Sequence, residues 1–418
     1  MGTESIKIDS NFLDRLPGDL VQYVLLQLPL DSISRFKAVC KKWKHIIESP
    51  SFINSYHNET SSNNQLIFVL SDTQLYRISP TNLTDGSSLN IKDYRASQNM
   101  CSGLKTIGLI GSCNGLLCFI SRGVGDYLYW KKIFLYSPLQ NRHRTIPSMP
   151  REEYKHTADQ DDSIRFIRYG FGYDCSTYDY KLLCVIWFIR SPTCHAYLYS
   201  LKRKSWKTLE CFPKDHLMTN VRICSFKSVF VNKALHWVVT GPFKGGETYI
   251  DTILRFDLVS EEFSLLPRHS KMQRYPLKLN VLEGWLSAWF RPPDLGGDKI
   301  EIWVMKEYGV KESCWTKLLS VKTDAETVKP ISLSKNENIL LLSESMVEEG
   351  QDTRFRWYDI NTSKRIKEVK LQNLSTRRIY EVETATQSRL TLTLHELDKK
   401  RGNRKSKKKK KAKSVIRL

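Results

Sequence analysis

The strongest constraint on this chain is a pattern that returns at intervals of about 50–60 residues. Each copy is an apolar, aromatic-rich strand, a polar turn and a second strand. The clear copies are FLYSPLQNRHRTIP at 134–147, AYLYSLKRKSWKTL at 196–209, ILRFDLVSEEFSLLP at 253–267, IEIWVMKEYGVKESCWTKLLSV at 300–321 and FRWYDINTSKRIKEV at 355–369. LYRISPTNL at 75–83 is a weaker copy. The spacing suits four strands per unit, the make-up of a β-propeller blade. Six copies predict about six blades, with aromatic residues packed between neighbours. Runs of strand length agree, among them Leu66–Leu70, Leu116–Ile120, Leu182–Phe188, Val229–Val231, Ala234–Val239, Trp285–Phe290 and Ile339–Leu342. A β-sandwich with chance likeness between its strands is the alternative architecture.

Residues 11–56 follow a different period. Leu20, Val24 and Leu28 share one helical row, and Val21 and Leu25 the row beside it. Pro17 stands near the start of this helix and Pro29 ends it. Ile33, Phe36, Val39, Cys40, Trp43, Ile46 and Ile47 then recur at spacings of three and four. The reading is three short helices. So small a unit has more apolar surface than it can bury by itself. It packs either on another protein or on the rest of the chain, and periodicity alone does not choose.

The stretch LPGDLVQYVLLQLPLDSISRFKAVCKKWKHIIESPSF resembles an F-box of the plant type. The matching positions are Leu16, Pro17, Asp19, Leu20, Leu28, Pro29, Ser32, Arg35, Phe36, Lys37, Val39, Cys40, Lys41 and Trp43. Ile33 departs from the usual Leu and keeps its volume. The later segments LIGSCNGLLCF (109–119), YGFGYDCSTYDYKLL (169–183) and VFVNKALHW (229–237) are similar to the F-box-associated domain of the same plant proteins, a kelch-like propeller. The resemblance implies a fold that is mainly β. An F-box helical module at 11–56 and a linker at 57–65 lead into a propeller of about six blades at 66–396. The resemblance does not reach 397–418, which reads from its charge as a disordered polybasic tail. The resemblance also implies partners, a Skp-type adaptor and cullin together with an unknown target protein. By the same resemblance Leu16, Pro17, Leu20, Leu28, Pro29 and Leu30 lie at the adaptor surface, and Phe36, Val39 and Trp43 hold the helices together. The implied function is substrate recognition within a Skp-cullin-F-box ubiquitin ligase, with no catalysis by this chain.

Charge and motifs refine that expectation. The net charge is +21, yet residues 398–418 hold twelve Lys and Arg against Asp398. The remainder carries 53 basic and 43 acidic residues, a net +10. Like charges at this density keep a tail extended. Lys407, Lys408, Lys409, Lys410 and Lys411 read as a nuclear-import signal, giving nucleus and cytoplasm as the expected location. Nucleic-acid binding through the tail is the alternative function. No apolar run of membrane-spanning length occurs and the N-terminal residues lack a leader's apolar core, so no membrane partner is expected. The ten cysteines include no CxxC, which argues for reduced, buried thiols and against zinc.

Other motifs read as structure. Asn114-Gly115 is a turn, Gly170 and Gly172 mark close backbone contact, and His236 is a core histidine. No metal ligand set, cofactor fingerprint or nucleophile motif stands out. Target binding is expected on propeller loops of mixed charge. The candidates are Asp159, Asp161 and Asp162 in one loop, Arg268, Lys271 and Arg274 in a second, and a third, acidic stretch beginning at Glu344.

Overall fold

The computed structural model describes most of residues 17–52 and 65–386. Residues 1–16, 56–64, 91–105, 123–129, 151–163, 189–193, 211–221, 243–248, 293–297, 346–352, 373–380, 387–418 and some shorter stretches lie outside the described residues. The chain divides into two compact units. One comprises 1–64 with 386–418, and the other 65–385.

The first unit contains α1 (Gly18–Leu26), α2 (Leu30–Phe36) and α3 (Lys41–Ile47). Pro17 caps α1 and its carbonyl accepts the Val21 N–H at 3.1 Å. Val21, Leu25, Ile33, Ile47 and Phe52 form a small buried core, with Leu26, Leu28, Phe36, Trp43 and Ile46 packed around it. Phe36 and Trp43 meet edge to face, with centroids 5.4 Å apart.

Among the described residues the second unit is almost entirely strand. Its opening strands are β1 (Gln65–Ser71), β2 (Gln74–Ile78) and β3 (Ser88–Asn90). Four successive strands then form each sheet in turn. The second sheet holds β4 (Thr106–Cys113), β5 (Leu116–Arg122), β6 (Trp130–Ser137) and β7 (Arg142–Ile146). The third holds β8 (Ile164–Asp174), β9 (Asp179–Phe188), β10 (Cys194–Ser200) and β11 (Ser205–Leu209). In the fourth, two short segments, β12 (Arg222–Ile223) and β13 (Val229–Val231), both pair with β14 (Ala234–Pro242). Strands β15 (Tyr249–Asp257) and β16 (Phe263–Leu266) complete it. The fifth holds β17 (Lys278–Leu282), β18 (Trp285–Phe290), β19 (Lys299–Met305) and β20 (Trp315–Lys322). The sixth holds β21 (Thr327–Leu333), β22 (Ile339–Ser345), β23 (Arg354–Asp359) and β24 (Arg365–Gln372). Finally β25 (Glu381–Thr386) returns to the first sheet, in the order β2-β1-β25.

Apolar side chains of adjacent sheets interdigitate, so the core is a set of layers between blades. Leu183, Val185 and Leu198 meet Leu235, Trp237 and Phe256. Ile302 and Val304 meet Leu340 and Leu342. The first sheet packs on both the sixth and the second, through Val69 against Leu341 and Phe68 against Phe119. The result is a β-propeller. Five of its sheets carry at least four strands and are complete blades, one fewer than the expected count of about six. Among the described residues the first sheet has three strands, and the weak copy at 75–83 supplies only β2 to it. Instead β3 crosses to the edge of the sixth sheet and pairs in parallel with β24.

The repeat is the outer hairpin of each complete blade. Its turn has a chemical cause. Ser200, Asp257 and Asp359 end the third strand of their sheets, and each side chain accepts a backbone N–H from the turn. The donors are Arg203 at 2.9 Å, Val259 at 2.7 Å and Thr362 at 2.7 Å. Four residues after each anchor the chain turns left-handed, at Lys204, Glu261 and Ser363. The first hairpins of the second, fourth and fifth sheets use two-residue turns at Asn114-Gly115, Asn232-Lys233 and Glu283-Gly284, all with positive φ. Both kinds of turn share one rim. Leu258 N–H bonds Lys233 O at 3.0 Å, and Ile360 N–H bonds Asn338 O at 2.8 Å. Connections between second and third strands, and between blades, therefore leave from the opposite rim.

Candidate functional site

On α1 the two apolar rows part company. Val21 and Leu25 are buried, whereas Leu20, Tyr23 and Val24 are 54%, 67% and 45% exposed. The spacing i, i+3, i+4 puts these three on one outward face of the helix. A nine-residue helix thus offers one apolar face to its own core and another to the surroundings. Tyr23 and Val24 were not among the expected surface residues. Their position on the row of Leu20 is the signal that identifies them.

The expected residues distribute unevenly around this face. Pro17 is exposed at the head of α1. Leu28 is half-buried and packs on the helical core. Leu16 and Pro29 lie outside the described residues, and of Leu30 only the backbone, at the start of α2, is described. Phe36 and Trp43 pack against the core. Val39 was expected beside them and is instead 43% exposed. The reason is local: α2 stops at Phe36, and Val39 lies in the following turn, its N–H on Phe36 O at 3.2 Å. The apolar row does not run through that turn.

Target-loop expectations meet a similar division. The three loops carrying them leave the propeller from the same rim, because they join β7 to β8, β16 to β17 and β22 to β23. Asp159, Asp161 and Asp162 lie outside the described residues, as does Arg274. Lys271 is exposed on a short 3-10 turn. Arg268 is a correction. It is 6% exposed and donates to the carbonyls of Asp251, Met272 and Tyr275, so it pins the loop from inside. Burial pushes its pKa down to about 10, which still leaves it charged. Glu344 is also internal, accepting from Arg356 at 2.6 Å, Thr323 at 2.7 Å and Tyr358 at 2.9 Å. Lys407 to Lys411 lie outside the described residues.

The remaining polar clusters join blades. Lys181 Nζ lies 2.8 Å from Asp174 and 2.9 Å from Glu261, tying the third sheet to the fourth. Burial favours its neutral form, but the two carboxylates outweigh that and raise its pKa. His236 is fully buried. Its Nδ1–H donates to Val229 O at 3.1 Å, which leaves Nε2 to accept from the Tyr308 hydroxyl at 2.5 Å. Arg255 in turn donates to Tyr308 at 3.1 Å. Burial pushes the His236 pKa down to about 4, so the ring is neutral and both nitrogens are in use. Among the described residues no group of three or more His, Cys, Asp or Glu is placed to hold a metal ion, and no helix is long and apolar enough to cross a membrane. Among the described residues six cysteines are free and Cys194 is disulfide-bonded, so the expectation of reduced thiols throughout fails there.

Comparison with known proteins matches both units. Residues 66–385 match the F-box associated beta propeller domain and residues 13–55 the F-box domain. An F-box/kelch-repeat protein of Arabidopsis thaliana is 28% identical over 341 residues, covering 78% of this chain and 85% of that protein. The F-box protein CPR1 of Arabidopsis thaliana is 25% identical over 380 residues, covering 84% and 83%. Among solved structures, TolB from Acinetobacter baumannii aligns with a TM-score of 0.42 at 12% identity, over 77% of this chain and 66% of that one.

Proposed function

This chain belongs to the plant F-box proteins that carry an F-box-associated β-propeller, and from that membership we propose that it is the substrate-recognition subunit of a Skp-cullin-F-box ubiquitin ligase. The observation that carries the reading is the outward apolar face of α1. Leu20, Tyr23 and Val24, each already partly covered, would contribute about 1–2 kcal/mol apiece if buried by an adaptor. Pro17, Leu28 and Leu30 border that face in sequence. The propeller then holds a target protein while the ligase delivers ubiquitin to it. The chain's contribution is proximity and orientation, with no bond made or broken by its own residues. The three-stranded first sheet is read as a sixth, incomplete blade, and the polybasic tail as an import signal.

The test is adaptor capture. Leu20→Asp places a charge on a residue that the free protein leaves in solvent, so the fold should survive. Buried in an adaptor interface, the same carboxylate would stand unpaired at a cost of several kcal/mol. We expect adaptor pull-down to be lost and the thermal unfolding of the propeller to be unchanged. Undiminished capture by both Leu20→Asp and Val24→Asp would remove the basis for the assignment.

A further inference from the structure

We propose, building on the receptor reading, that the edge shared by the second and third blades binds an acidic, extended segment of a protein partner. The hairpins at 130–147 and 194–210 hold eight Lys and Arg and one carboxylate, Glu210. The neighbouring hairpin at 249–266 has the opposite balance, with Asp251, Asp257, Glu261 and Glu262 against Arg255. Lys207 of this set is paired with Glu261, so the basic strip ends where the fourth blade begins. In the sixth blade, also rich in bases, Arg356 and Arg365 are bonded to Glu344 and Glu368.

The two hairpins face one another. Trp206 Nε1–H on β11 donates to Pro147 O, just after β7, at 3.0 Å. Arg144 on β7 lies within electrostatic reach of Tyr199 on β10. Arg142 lies two positions before Arg144 on the same face of β7, and Lys202-Arg203-Lys204 form the turn that follows β10. Arg142 and Arg203 are exposed.

The geometry fits a polypeptide. Arg142 and Arg144 alternate along β7, about 7 Å apart, the distance at which alternate side chains of an extended peptide repeat. Among the described residues β7 and β11 are the outermost strands of their sheets, so each presents an edge of backbone donors and acceptors. A single-stranded nucleic acid would instead want an open aromatic platform. Here Tyr199 is 1% exposed and Trp206 packs against it at a tilt of 52°, with centroids 5.2 Å apart.

The test uses the full chain with Lys407–Lys411 changed to serine, so that the tail does not compete. The probe is a fluorescent peptide of alternating Glu and Thr, about twelve residues long. We expect Arg142→Glu/Arg203→Glu to weaken its binding at least about tenfold, Arg142→Gln/Arg203→Gln to weaken it by less, and the Gln-Thr peptide not to bind. Equal affinity in wild type and both variants, with unchanged melting temperatures, overturns the proposal. So does an oligonucleotide of similar length that binds more tightly than the peptide and is lost on the same charge reversal. Adaptor capture is measured in the same samples. Its loss with peptide binding retained defeats the receptor reading alone, and the converse defeats the strip alone.

Discussion

At the scale of single residues, His236 makes the stability of the propeller pH-dependent. Its pKa is near 6.5 when unfolded and about 4 when folded. Between those values the unfolded chain binds the extra proton, so stability falls as pH drops through the window and is fully present above it. The loss is on the order of 3 kcal/mol by pH 4. Urea unfolding from pH 7 to pH 4 should show this slope, and His236→Gln should flatten it. Backbone conformation gives a second prediction. Lys233 sits at φ 62°, where a Cβ costs roughly 1 kcal/mol. Lys233→Gly should raise stability by up to about that amount, read as a shift in the denaturation midpoint. Gly172 behaves oppositely. A Cβ there would come within 2.4 Å of the Phe230 ring and 2.7 Å of Leu258, so Gly172→Val should cost several kcal/mol. Asn114-Gly115 and Gly170-Phe171-Gly172 were legible in the sequence because each carries a glycine. The equivalent turn at Asn232-Lys233 was not, because nothing in Lys233 advertises a left-handed residue.

At the scale of elements, α1 separates a buried row that holds the helical unit together from a row it exposes. Leu25→Ala should destabilise the helical unit by about 2–5 kcal/mol, while Leu20→Ala should change its melting temperature little, since one side chain is buried and the other exposed. Circular dichroism melts of the two variants would check this. The sequence showed both rows of α1 and could not say which one faced inward, because each is equally apolar. It also placed Val39 in the core by extending a row of threes and fours beyond the end of α2. The strands were easier to read. Alternation and the Ser or Asp that closes three of the outer hairpins are local signals. The burial of Arg268 and Glu344 was not local, for their partners come from other parts of the chain or other strands.

At the scale of the whole molecule, the ring is closed by its two ends. Strand β25 joins β1, and its carbonyls accept from innermost strands on either side, Ser112 Oγ to Thr384 O at 2.9 Å and Lys329 Nζ to Val382 O at 2.5 Å. Truncation before Glu381 should therefore destabilise the propeller broadly and expose the edge of β1. Removal of Lys399–Leu418 should leave its melting temperature nearly unchanged. Differential scanning fluorimetry of the two truncations distinguishes them. The same closure sets a schedule during synthesis. A ribosome adding roughly 5–20 residues per second needs about twenty seconds to a minute to travel from the end of α3 to Thr386. Through that interval the nascent chain already has the outward face of α1 but has no finished ring. A message cut short anywhere in between would yield a protein with the first and not the second, which under the proposed function would occupy a shared partner while delivering nothing to it.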